Sequence, residues 1–61
     1  MELTEKQTAD YRRLKAYFPY RLFFLVNDPR DVDAGQKVWA VRDKRAINRV
    51  LKEGGTVVQL S

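Results

Sequence analysis

Apolar residues fall in two different rhythms along the chain, and the change of rhythm marks its elements. Over residues 5–17, with Phe18 just beyond, Gln7, Tyr11, Leu14 and Phe18 recur at three- and four-residue steps. That spacing lines one side of an α-helix. Thr4 and Gln7 have the spacing of a capping box, in which each side chain satisfies the other's free backbone N–H. Glu5 suits the positive start of the helix, and Arg12, Arg13 and Lys15 fall late, where cations suit the negative end. Pro19 biases Phe18 away from helical angles and stops the helix.

Residues 20–27 change the rhythm. They are rich in Phe, Leu and Val and predict the clearest strand of the chain. Tyr20, Leu22, Phe24 and Val26 point one way, and Arg21, Phe23, Leu25 and Asn27 the other. Both sets are apolar in the middle, which predicts a central strand covered on both sides. Residues 27–36 hold Pro, Gly, Asn and three Asp, and predict a long hairpin loop. Residues 37–42 and 56–60 predict two further strands. Between them Asp43 is placed to cap a helix over residues 44–53, and Gly54 is placed to end it in a left-handed conformation. In that helix Ala46, Ile47, Val50 and Leu51 are expected inward, with Arg45, Asn48, Arg49 and Lys52 outward.

The order is therefore α-β-β-α-β, an α+β fold in one small domain spanning residues 1–61. Thirteen residues separate the second and third strands, enough for a right-handed crossover of parallel strands. Placing the most apolar strand between them gives a three-stranded antiparallel sheet of order 2-1-3, with the shorter, more polar strands at the edges. Both helices are expected on one face, against Leu22, Phe24 and Val26 with Val58 and Leu60. On that arrangement Phe23 and Leu25, joined by Trp39, form a bare apolar patch of a kind rare on soluble monomers. The expected cover is a second copy, a partner protein or stacked bases.

Composition narrows the chemistry. Sixty-one residues bury only about 60% of their unfolded surface, so further burial against a partner is favourable. There is no cysteine, which excludes disulfides and thiolate chemistry, and no histidine, the commonest general base and metal ligand. No Gly-rich phosphate loop occurs, and nothing pairs two acid–base groups. The chain reads as non-enzymatic, with no cofactor and no metal. The acidic loop residues Asp28, Asp31 and Asp33 lack the closing Glu and flanking helices of a calcium loop, so turn chemistry explains them better. The longest apolar run, at residues 22–26, is far short of the roughly 20 residues of a membrane span, and the opening residues are too polar for a signal peptide. A cytoplasmic location is expected.

The formal charge of +4 mildly favours anionic partners. Arg42, Lys44, Arg45, Asn48, Arg49 and Lys52, on and just before the second helix, are the candidate nucleic-acid contacts. A solvated helix face accounts for the same charges. The sequence thus predicts a small binding module or regulator, of the size found among accessory proteins of phages and mobile elements. It is expected to act by protein–protein contact, through self-association or inhibition of a partner. Nucleic-acid binding by the second helix is the alternative.

Overall fold

The computed structural model of the chain describes residues 3–31 and 35–60. Asp33 of the acidic loop lies outside the described residues. The elements follow in the order α1 (Glu5–Tyr17), β1 (Leu22–Asn27), β2 (Gln36–Val41), α2 (Arg45–Lys52) and β3 (Thr56–Gln59). The three strands form one antiparallel sheet of order β2-β1-β3, as the sequence predicts.

Local chemistry sets each boundary. Thr4 closes the expected capping box: its Oγ1 accepts from the Gln7 N–H at 3.1 Å, and Gln7 Oε1 accepts from the Thr4 N–H at 2.9 Å. At the far end Phe18 leaves helical angles (φ −130°, ψ 66°) because Pro19 follows. The chain then turns, with the Arg21 N–H donating to the Phe18 carbonyl at 3.2 Å. This turn delays β1 to Leu22, so Tyr20 is not part of the strand. The C-terminus of α2 is a Schellman motif: Gly54 N–H donates to Leu51 O and Gly55 N–H to Val50 O, with Gly54 at φ +89°. Gly55 has no positive φ but sits against backbone. A Cβ there would meet the Asn27 carbonyl and Val50 Cγ1 at 2.5 Å.

The helices do not share a face. Tyr11 and Leu14 of α1 pack with Phe23, Leu25, Val38, Ala40, Val58 and Leu60. Ile47 and Val50 of α2 pack with Leu22, Phe24, Val26, Trp39, Val41 and Val57 on the other side. The sheet is the middle of three layers. Strand β1 carries apolar residues on both faces and needs cover on both, and each helix offers a stripe wide enough for one. Pairing register corrects the third strand as well. Leu25 faces Val58 and Val26 faces Val57, so Val58 and Leu60 belong with Phe23 and Leu25 under α1, not with Leu22, Phe24 and Val26. Leu51, expected inward, is exposed. The inward stripe of α2 is centred between Ile47 and Val50, and Leu51 lies about 100° round the helix from Val50.

Candidate functional site

The expected Phe23, Leu25 and Trp39 face does not exist as an open surface. Phe23 is 1% exposed, and Leu25 is equally buried. The ring of Tyr11 meets Phe23 edge-on, with centroids 5.3 Å apart. Trp39 is half-buried on the opposite face, where it pairs with Phe24. The three residues are therefore core positions of two separate layers. Their apolarity, which suggested a hidden partner, is answered within the chain by α1 over Phe23 and Leu25 and by α2 on the side of Trp39.

The cations of α2 are also partly engaged. Arg45 binds its own helix start: Nη2 donates to Asp43 Oδ2 at 2.9 Å, and the Arg45 N–H donates to Asp43 Oδ1 at 2.9 Å. Asp43, expected to cap α2, does not: the N-cap position is Lys44, which makes no side-chain cap, and Asp43 lies one residue further out and closes a local turn on the Arg45 N–H instead. Arg49 donates to Glu53 Oε2 at 2.8 Å and to Asp28 Oδ2 at 3.0 Å, and Arg30 pairs with the other oxygen of Glu53. These four side chains fasten the β1–β2 loop to the end of α2. The Arg30 backbone N–H, then the Arg49 guanidinium, hold the Asp28 carboxyl below the ordinary aspartate value, and Asp28 in turn raises Arg49. The Arg45 guanidinium lowers Asp43 in the same way. An arginine held by two carboxylates is a poor phosphate ligand. Of the six candidate contacts, Arg45 and Arg49 are spent internally. Among the described residues, Arg42, Lys44 and Lys52 are in no ion pair, and Asn48 is exposed.

In the acidic loop, Asp28 Oδ1 accepts from the Arg30 N–H at 3.0 Å, the Asp31 N–H donates to the Asp28 carbonyl, and Asp31 pairs with Lys37. This is turn and ion-pair chemistry. No group of three or more potential metal-ligating side chains occurs among the described residues. A shallow cleft of about 300 Å³ separates α1 from β2, lined by Gln7, Asp10, Arg13, Gln36 and Lys37 among others. Asp10 and Arg13 in it pair with each other.

Two further surface features stand out. One is a corner of exposed rings. Tyr20 is 99% exposed, Tyr17 74% and Phe18 41%. Pro19 turns the chain so that Tyr20, expected at the start of the first strand, stands outside it in solvent. The other is the edge of β3. Residues 56–60 contain no charge and no proline, the usual guards of a free edge. The β2 edge, by contrast, carries Lys37 and meets α1 where Gln7 Nε2 donates to the Gln36 carbonyl at 3.4 Å.

No family model matches the chain, and no curated protein or solved structure is significantly similar to it. Among the described residues no helix is long and apolar enough to cross a membrane. Among the described residues, the fold is a three-layer α/β/α arrangement in which β3 is an outer strand of the sheet.

Proposed function

We propose that this chain is a non-enzymatic protein-interaction module whose contact element is the free edge of β3, and that its first partner is a second copy. The observation that carries this reading is the outer position of β3 in the sheet, with an uncharged sequence. β3 pairs with β1 alone among the described strands, and nothing charged lies along residues 56–60. Strand addition at such an edge supplies backbone hydrogen bonds that do not depend on side-chain identity.

Charge placement supports a two-fold antiparallel pairing of β3 with its copy. Among the described residues, the sheet end where β1 starts holds Arg21, Arg42, Lys44 and Arg45 with Asp43. Antiparallel pairing of two β3 edges sets the cationic end of each copy beside the opposite end of the other, where Asp28 and Glu53 lie. It also joins two small sheets into one of six strands, which a chain with so little buried surface gains from.

Light scattering over a concentration series tests the reading. A dimer is expected for the wild type. A monomer with unchanged circular dichroism is expected for Thr56→Lys combined with Gln59→Lys, both at exposed positions. A wild type that stays monomeric at every concentration overturns self-association. A dimer that the double substitution leaves intact removes the β3 edge from it.

A further inference from the structure

We propose that the cationic end of the sheet is a single-stranded nucleic-acid site, with bases stacked on Tyr17, Phe18 and Tyr20 and phosphates held by Arg21, Arg42 and Lys44. The site uses neither the outer face of α2 nor the β3 edge, so it stands or falls independently of the self-association above.

The rings are presented by construction. Phe18, Pro19, Tyr20 and Arg21 make a turn closed by the Arg21 N–H on the Phe18 carbonyl. Proline's fixed φ suits the second position of such a turn. Tyr20 stands third, keeps a negative φ and has no neighbour over either face of its ring. Tyr17 closes α1 one residue before the turn begins, and its ring lies 6.4 Å from that of Phe18 at an interplanar angle of 49°. The rings are splayed rather than stacked on each other, and Tyr20, the most exposed, offers both faces to a ligand. The Arg21 guanidinium lies over Phe18 at 5.2 Å, so one cation is already fixed beside the rings.

Strand register brings cations to this end. Leu22 pairs with Val41, Arg21 directly precedes β1 and Arg42 directly follows β2, so both lie at the same end of the sheet. Neither arginine is in an ion pair among the described residues, while Asp43, the carboxylate at this end, is taken by Arg45. Lys44 follows directly and is exposed.

Single-stranded nucleic acid fits better than other anionic partners. Exposed aromatic rings interleaved with cations are the working parts of single-strand binders, since every base has a π-face and every nucleotide a phosphate. A protein hot spot is ringed by apolar contacts that exclude water, and Tyr20 has none. A membrane-surface element needs a broad apolar face, which this turn lacks.

The test is fluorescence anisotropy of labelled oligo(dT) and oligo(U) of about 12 nucleotides, within the site sizes of single-strand binders. A duplex of the same length, phosphatidylserine vesicles and a poly-glutamate peptide are run beside them. Wild type is expected to bind the single strands in preference to all three. Tyr17→Ala with Tyr20→Ala is expected to weaken binding by roughly 10- to 100-fold. Both side chains are exposed, so melting should be unchanged and the loss cannot be ascribed to unfolding. Arg42→Gln with Lys44→Gln should flatten the dependence of log K on log[salt] by roughly 1.4. Lys52→Gln, at the other end of α2, should leave that slope nearly intact. No binding of single strands at low salt overturns the proposal. So does binding that is indifferent to the two tyrosines, as strong on duplex, or matched by Lys52→Gln in its loss. Capture of vesicles or poly-glutamate in preference to oligonucleotide overturns it as well.

Discussion

Arg49 of α2 donates to Asp28 at 3.0 Å across a sequence distance of 21 residues, and this contact ties the helix end to the loop that leaves β1. The same guanidinium holds Glu53, which holds Arg30. What looked from sequence like a row of helix cations is in part a clasp between two segments.

The clasp gives stability a defined pH dependence. Asp28 and Asp43 both have carboxyls lowered in the folded chain relative to the ordinary value of about 3.9. A lowered folded value means the unfolded chain binds protons more readily, so the contribution is complete above about pH 4 and fades as pH falls through the folded values. Thermal melts between pH 7 and pH 2 should show the melting temperature falling only in the acid range. Asp28→Asn should lower it at neutral pH and shrink that acid-range fall. A melting temperature flat down to pH 2 would contradict this account.

Phe23 distinguishes a core role from an interface role. As a ring buried against Tyr11, its replacement by Ala should cost about 3–5 kcal/mol, comparable with the whole stability of so small a domain. Phe23→Asp should not fold at all. Circular dichroism decides: a folded, monomeric Phe23→Asp protein would mean that the ring faces outward.

Adjacent glycines should respond differently to alanine. At Gly54 there is open space but a φ of +89°, so Gly54→Ala meets backbone strain of about 1–2 kcal/mol. At Gly55 a methyl collides with the Asn27 carbonyl and Val50 Cγ1, so α2 or the β1 end must shift. The cost there is about 1–3 kcal/mol, with a perturbed Val50 methyl signal in NMR spectra. A Gly55→Ala protein with wild-type stability and spectrum would show that the approach is looser than described.

Thr4→Ala removes the hydroxyl that accepts from Gln7 N–H and half of a capping box. Urea unfolding should show a loss of about 1 kcal/mol with an unchanged slope. Since α1 covers Phe23 and Leu25, fraying of its first turn also loosens that layer.

Much of the fold was legible because β1 announces its own position. Five successive residues, Leu22 to Val26, are apolar, which requires a central strand, and the order β2-β1-β3 follows. The same residues required cover on two faces. Assigning both helices to one face conflicted with that, and the conflict pointed to a partner where α1 is sufficient. The side taken by α1 depends on the direction of the chain after Phe18, set by a four-residue turn that hydrophobic periodicity does not encode. The parity of β3 was likewise hidden, since Val57 and Val58 are chemically alike and register alone separates them. Candidate surfaces were least legible. The Arg49 clasp joins residues far apart in sequence. The exposure of Tyr20 follows from turn geometry, where composition had suggested a strand.

Strand order also dictates how the sheet assembles in time. β1 and β2 meet by closing a short loop, Asn27 on Gln36, nine positions apart, whereas β3 must close Asn27 on Thr56, twenty-nine positions apart. The longer closure costs about 1 kcal/mol more in chain entropy and wins only four paired positions. Hydrogen exchange in the native state should therefore find the β3 amides opening ahead of those between β1 and β2. Each such opening bares the flank of β1, with Phe24 and Val26 at its centre, to any other chain's β3. The hairpin of β1 and β2 is the durable half of this protein, and its last strand is the exchangeable one.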